Sequence, residues 1–282
     1  MKFKPQAQLT PFFTLKTVDS RGDIYVPESV DDVLVFTERH EFFHVLGGGS
    51  NVIAGSISSP VLLMGKYESS TETEMISSGE KVRVQVPAGL QVAKLLFYSE
   101  KNGLSGVEFM AGIPGTVGGA VFGNSAPEGE SWDGIVKEII YAEKGELKKM
   151  KPEFSYRSLE NSPVESFVIL AVELELEIKT NSYVENRIKD FSARRMKIPF
   201  PSAGSFFRNP PGKKAGKLID EAGMKGFSVG GAAIYEKHAN IVINKGGGSS
   251  EDFRKLGKTI KKEVYNKYDV FLKEEVTFWP CL

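Results

Sequence analysis

Two glycine-rich turns constrain this chain more than any other feature. The first is Gly47-Gly48-Gly49-Ser50-Asn51, just after a short apolar run. The second is Gly112-Ile113-Pro114-Gly115-Thr116-Val117-Gly118-Gly119-Ala120, with Asn124 shortly beyond. Glycine adopts positive φ without strain and lets another group approach the main chain closely. Successive N–H groups in such turns form concave anion sites. A single loop of this kind often does no more than close a turn. Two of them, the second ending in Gly-Gly-Ala, point to a pyrophosphate held between loops. The first loop lacks the Lys-Ser/Thr of a Walker loop, which argues against phosphoryl transfer. It also lacks the GxGxxG spacing and following acid of a Rossmann site.

Charge and composition narrow the partners. The 282 residues are enough for two or three small domains, and 36 basic residues balance 36 acidic ones. A nucleic-acid or anionic-membrane partner would normally require a basic excess, so neither is expected. Met1-Lys2-Phe3-Lys4-Pro5 lacks the apolar core of a signal peptide, and no apolar run reaches membrane-spanning length. Cys281 is the sole cysteine, which excludes an intrachain disulfide and a cysteine metal site. The histidines are His40, His44 and His238, and no metal site is expected. A cytoplasmic protein fits these features.

Hydrophobic periodicity gives the elements. Ser29 and Asp32 predict a capping box opening a helix whose face is Val30, Val33, Leu34 and Thr37. Phe43 to Leu46 reads as a buried strand entering the first glycine loop. Val82, Val84 and Val86 alternate with polar residues as in a half-buried strand. Val92, Leu95, Leu96 and Ser99 form a helical face closed by Gly103. Val172, Leu174, Leu176 and Ile178 alternate with Glu173, Glu175 and Glu177, a strand with one wet face. Val184, Ile188 and Phe191 predict a helix stopped by Pro199 and Pro201, at a domain boundary. Leu218, Ile219 and Ala222 predict a short helix ending at Gly223, and Asn240 to Asn244 a strand. Ser249 and Asp252 open an amphipathic helix carrying Phe253, Leu256, Ile260 and Val264. The mixture is an α+β architecture.

Five segments in order carry a more specific signal. They are Leu46 to Asn51, Gly112 to Ala120, Phe154-Ser155-Tyr156-Arg157-Ser158, Pro201 to Pro210 (Pro-Ser-Ala-Gly-Ser-Phe-Phe-Arg-Asn-Pro) and Lys237 to Asn244 (Lys-His-Ala-Asn-Ile-Val-Ile-Asn). In order and spacing they closely resemble the UDP-N-acetylenolpyruvoylglucosamine reductase (MurB) family of peptidoglycan precursor synthesis, over roughly residues 20 to 280. The resemblance implies a two-lobed FAD-binding domain of the vanillyl-alcohol oxidase type and a C-terminal α+β substrate domain. It places one lobe at 1–60, joined by 270–282, the second at 61–197 and the substrate domain at 198–282. It implies non-covalent FAD, NADPH as hydride donor, and reduction of a UDP-sugar enolpyruvyl ether to UDP-N-acetylmuramate. A monomer is expected.

The reaction sets requirements on the residues. Hydride addition to an enol ether conjugated to a carboxylate builds negative charge on that carboxylate, which must be stabilised. The second carbon must be protonated. By the resemblance, Arg157 is the catalytic arginine, and a guanidinium can grip a carboxylate with two parallel hydrogen bonds. Ser205 matches the proton donor, with Ser202 as its nearby rival. Glu275 matches the glutamate of a Leu-x-Pro-Glu-Val motif, and Glu274 stands where that proline is expected. Period-2 alternation would put Glu274 and Glu275 on opposite strand faces. Tyr156, Arg208, Asn209 and His238 are expected at the substrate. Gly47, Gly48, Gly49, Ser50, Asn51, Ile113, Pro114, Gly115, Thr116, Gly118, Gly119, Ala120 and Asn124 are expected at the FAD.

The chain departs from the family pattern in three further places. Glu128 lies where a tyrosine is usual, Tyr235 where a serine is common, and Arg208 where a lysine is usual. The absence of an extra tyrosine-bearing loop between Val164 and Ser202 resembles the shorter, type II subgroup. Two alternatives remain open at this level: another FAD oxidoreductase or oxidase of the same fold, and a non-catalytic nucleotide-sugar binding protein.

Overall fold

The computed structural model describes residues 1–67, 75–127, 129–164 and 166–280. Glu128 and Cys281 therefore lie outside the described residues. The chain forms two compact units. One comprises Met1–Lys4, Ile24–Gly48 and Ser59–Met196; the other comprises Pro5–Asp23, Gly49–Ser58 and Lys197–Leu282.

The first unit is organised by the long strand Val168–Ile178, paired antiparallel with Lys81–Pro87 on one side and Val136–Glu143 on the other. Opposite pairs Val172/Val86, Leu174/Val84 and Leu176/Val82 are all buried, as the alternation predicts. The wet face is held by charge: Glu175 pairs with Lys81 at 3.1 Å and Lys137 at 3.2 Å, and Glu173 with Arg83 at 3.1 Å. Val168 to Ala171 extend the same strand into a stretch buried on both faces. A smaller parallel sheet pairs Ile24 and Tyr25 with Val61 and Leu62, and these with His44 and Val45.

Helix α1 spans Val30–Arg39. The Ser29 hydroxyl accepts the Asp32 N–H at 3.1 Å, so half of the expected capping box forms. The other half does not, because the Asp32 carboxylate takes the Glu28 N–H and the N-terminal amine instead. The buried face is Val33, Phe36 and Thr37, with Val30 exposed, so the predicted face is rotated by part of a turn. Helix α2, Val92–Asn102, buries Val92, Leu95, Leu96 and Ser99 and ends on left-handed Gly103, as expected. The second glycine loop leads into a short helix α3, Val117–Phe122, capped by Thr116. Helix α4 is Asn181–Ala193 and stops well before Pro199, so the prolines do not terminate it.

In the second unit, four antiparallel strands run in the order Ser202–Ser205, Ile241–Asn244, Ala232–Ile234, Ser228–Val229. Helices α5, Ala215–Glu221, and α6, Ser250–Tyr268, contribute Leu218, Ile219, Phe253, Leu256, Ile260 and Val264 to one core with Phe206 and Phe207. Each such side chain contributes about 1.5–3 kcal/mol by leaving water. The capping box of Ser249 and Asp252 on α6 is complete. The last strand, Thr277–Trp279, pairs in parallel with Val52–Ala54, so the end of the chain returns to the residues just after the first glycine loop. Among the described residues, no helix is long and apolar enough to cross a membrane, and no group of His, Cys, Asp and Glu could hold a metal.

Candidate active site

In the first unit the two glycine loops meet. A methyl on Gly47 would lie 2.5 Å from Thr116 Oγ1, and one on Gly48 would lie 2.6 Å from Gly115 Cα. These glycines serve close backbone packing between the loops. Among the described residues, the N–H groups of Gly47, Gly48, Gly115 and Thr116 find no protein acceptor. Gly47, Gly48 and Gly115 are only half-buried. Four unspent donors from two touching turns suit a pyrophosphate. Within the second loop, the N–H groups of Gly118, Gly119 and Ile113 are committed, to Ala88 at 2.8 Å, the Thr116 hydroxyl at 3.4 Å and Met110 at 3.0 Å. Ala120 is buried in α3 and Pro114 is exposed.

Arg157 lies at the tip of the two-stranded hairpin formed by Phe154–Ser155 and Ser158–Leu159. Its φ is +59°, a turn position ordinarily given to Gly or Asn. The guanidinium donates to the Ala126 carbonyl at 2.7 Å and lies 5.2 Å from the centre of the Tyr156 ring, a cation–π arrangement. Asn124 ties this hairpin to the end of α3. Its Nδ2 donates to the Ser155 carbonyl at 2.8 Å, and its Oδ1 accepts from Ser131 Oγ at 3.2 Å and the Trp132 N–H at 3.1 Å. The Asn124 side chain is thus spent within the protein.

Sequence reasoning missed Arg195. It donates to the carbonyls of Ala111 at 3.1 Å and Phe109 at 2.9 Å, holding the run into Gly112. Burial first, and then the charge of Arg157, hold its guanidinium below the ordinary value. No motif marked Arg195; its only signal was an arginine pair, Arg194-Arg195, after the α4 pattern.

The second unit carries the other candidates. Ser202 is committed: its Oγ donates to the Val242 carbonyl at 3.1 Å and accepts the Gly204 N–H at 3.1 Å. Ser205, after Gly204 at φ +76°, is half-buried, and its Oγ has no hydrogen-bond partner among the described residues. The chain beyond Ser205 runs antiparallel to residues 273–275. The Glu275 N–H donates to the Phe206 carbonyl and the Arg208 N–H to the Lys273 carbonyl, at 2.8 and 2.9 Å. Glu274 lies opposite Phe207, and its carboxylate is 2.5 Å from Lys261 of α6. Asn51 donates to the Glu275 carbonyl at 2.9 Å, while the Gly49 carbonyl accepts the Thr14 N–H at 3.1 Å; Ser50 between them is half-buried. Asn209 Oδ1 accepts the Ala215 N–H at 3.0 Å, capping α5. His238 Nδ1 accepts the Asn240 N–H at 3.3 Å.

The comparisons agree along the chain. A model of an FAD binding domain matches residues 26–142, which hold both glycine loops. A model of the C-terminal domain of UDP-N-acetylenolpyruvoylglucosamine reductase matches residues 196–279. A UDP-N-acetylenolpyruvoylglucosamine reductase of Bacillus subtilis is 35% identical over 276 residues, covering 93% of this chain and 89% of that protein. The chain belongs to the UDP-N-acetylenolpyruvoylglucosamine reductase family. Another member, from Desulfosudis oleivorans, is 38% identical over 274 residues, covering 90% of this chain and 87% of its own. The crystal structure of the family's enzyme from Thermus caldophilus superposes with a TM-score of 0.82 at 26% identity, covering 99% of this chain and 100% of that one. The expected α+β organisation, an FAD-binding domain followed by the family's C-terminal domain, holds.

Proposed function

We propose that this chain reduces the enolpyruvyl ether of a UDP-sugar to UDP-N-acetylmuramate, with NADPH as reductant and FAD between them. When bound, FAD supplies a carrier for the hydride. Family membership supports the reaction. The four unspent N–H groups of the touching glycine loops support the cofactor. Gly47, Gly48, Gly115 and Thr116 would hold its pyrophosphate.

The protein's own residues answer the remaining requirements. Arg157 binds the substrate carboxylate and offsets the negative charge that grows there. Ser205 delivers the proton to the second carbon, and Glu275 shares the carboxylate's charge as a protonated acid. The observation that carries this assignment is the antiparallel pairing of the chain after Ser205 with the Glu275 segment, which makes the two residues near neighbours along one backbone ladder. The spent state of Ser202 favours Ser205 over its rival. Tyr156, Arg208, Asn209 and His238 remain the substrate contacts of this reading.

In this reading residues 1–60 with 270–282 and residues 61–197 are the two flavin lobes, and 198–282 is the substrate domain. The pairing of Thr277–Trp279 with Val52–Ala54 supports the first grouping. The type II subgroup, a cytoplasmic monomer and the lack of a nucleic-acid partner complete the proposal. The balanced charge supports the last of these.

The test is an anaerobic visible spectrum of the purified protein. A non-covalent flavin should bleach with NADPH and recover its colour on adding the enolpyruvyl UDP-sugar. Absence of flavin that added FAD cannot restore would overturn the reading of both loops. Bleaching without recovery would overturn the substrate assignment.

A further inference from the structure

The assignment of Ser205 and Glu275 leaves open what holds their two backbones in register. The strand Ser202–Ser205 pairs with Ile241–Asn244, but the register shifts within it and the strand ends at Ser205. Beyond that point one residue replaces the ladder. Asn240, 5% exposed, accepts the Phe207 N–H on Oδ1 at 3.0 Å and donates from Nδ2 to the Phe207 carbonyl at 2.8 Å. Its own carbonyl accepts the Phe206 N–H at 2.8 Å. The opposite edge of the same two residues receives Glu275, whose N–H binds the Phe206 carbonyl at 2.8 Å.

We propose that Asn240 is a positioning residue for the reaction: its carboxamide clamps Phe206-Phe207 from one edge and so sets Ser205 and Glu275 against each other. The proposal rests on the assignment of Ser205 and Glu275 made above. A primary carboxamide of this length supplies one donor and one acceptor to the N–H and C=O of a single residue. Alanine supplies neither, and ionised aspartate supplies only acceptors. Without the clamp, a buried N–H and a buried carbonyl of Phe207 lose their partners, and the segment must shift to recover them. A shift of about 1 Å at reacting groups is enough to slow a step by about a hundredfold.

Asn240→Asp tests this, because it preserves shape and makes the donor titratable. A protonated carboxyl can still accept from the Phe207 N–H and donate to the Phe207 carbonyl. The ionised form cannot donate, and it faces a carbonyl oxygen. Burial and that carbonyl raise the carboxyl's pKa, so the clamp holds at low pH and fails as pH rises. The other titratable groups nearby are His238, bound to the Asn240 N–H, Glu274 with Lys261, and Glu275 and Arg208 on the neighbouring backbone. All are present in the unsubstituted protein too, so the ratio of variant to unsubstituted rate at each pH removes their contribution.

Flavin reduction by NADPH and flavin reoxidation by the UDP-sugar are followed separately by stopped flow. The expected result is a reoxidation ratio near one at low pH that falls by about ten- to a hundredfold as pH rises, with the reduction ratio unchanged. A reoxidation ratio independent of pH, or parallel loss of both half-reactions, overturns the proposal. Ser205→Ala is run beside it. If that variant is slow in reoxidation while Asn240→Asp shows no pH-dependent loss, the clamp alone is wrong. If Ser205→Ala reoxidises normally, the assignment beneath the clamp is wrong. Should Asn240→Asp not retain flavin, Asn240→Ala carries the same measurements: selective loss of reoxidation supports the clamp, and unchanged or equally reduced half-reactions overturn it.

Discussion

Gly48 and Gly115 touch through their backbones, so that a methyl group on Gly48 would lie 2.6 Å from the Cα of Gly115. The contact leaves no room for any side chain, and it keeps the unspent N–H groups of both loops together. Gly48→Ala should force the loops apart at an overpacking cost of about 1–3 kcal/mol, weakening FAD binding by about ten- to a hundredfold. Flavin fluorescence quenching on titration with FAD measures this. Unchanged affinity would remove the close packing from the account of the cofactor site.

Arg157 combines a left-handed backbone with the role proposed for it at the substrate carboxylate. Arg157→Gly relieves a left-handed conformation worth about 1–2 kcal/mol and gives up contacts that include the hydrogen bonds to the Ala126 and Asn124 carbonyls and the Tyr156 ring, each worth about 1 kcal/mol or less. The melting temperature should therefore move by only a few degrees, while flavin reoxidation by substrate falls at least about a hundredfold. A large loss of stability with normal reoxidation would reverse the assignment.

Ser202 and Ser205 are separated by their hydrogen bonds. Ser202→Ala frees the Val242 carbonyl and the Gly204 N–H, costing about 1 kcal/mol in urea unfolding with reoxidation nearly unchanged. Ser205→Ala should leave stability and NADPH reduction intact and slow reoxidation by about a hundredfold or more. If the two variants exchange these phenotypes, the donor is Ser202.

The adjacent acids are compared by substitution as well. Glu274→Gln removes a partly exposed ion pair with Lys261, with an effect below about 1 kcal/mol and little change in turnover. Glu275→Gln should lower kcat more than KM, since the charge it is proposed to share develops only in the transition state. Steady-state kinetics of the two variants decide between the acids.

Asp252 gives a pH-dependent contribution. The Ser249 N–H first of all, and then the Ser249 hydroxyl and Gly231 N–H, hold its carboxyl below the ordinary value. The folded pKa is thus lower than the unfolded one, about 3.9. Its stabilisation is whole above that unfolded value and is lost as pH falls through the folded value. Asp252→Asn should cost about 0.3–1 kcal/mol at pH 7, with the difference shrinking as pH approaches 3. Urea unfolding at several pH values checks it.

The buried face of α2, the alternation of Val172 to Leu176 and the complete capping box of α6 were legible because each depends on residues a few positions apart. α1 was misread by part of a turn. Its Asp32 is claimed by the N-terminal amine, and Phe36 is drawn into the core with Phe43 and Leu62, neither of which a helical period can register. The end of α4 was misplaced because the helix stops at Ala193, without waiting for a proline.

At the site, the division follows the range of the interactions. The sequence by itself determined that five ordered motifs, two of them glycine loops, belong to an FAD-binding reductase, because those signals are residue identities at fixed spacings. The tertiary structure decided which N–H groups of the loops are free and which are spent. It also decided where Asn51, Asn124 and Asn240 send their carboxamides. Each of these side chains satisfies backbone groups from distant parts of the chain, and a buried polar group goes to whichever partner the folded backbone brings within about 3 Å. That choice exists only once the chain has closed on itself.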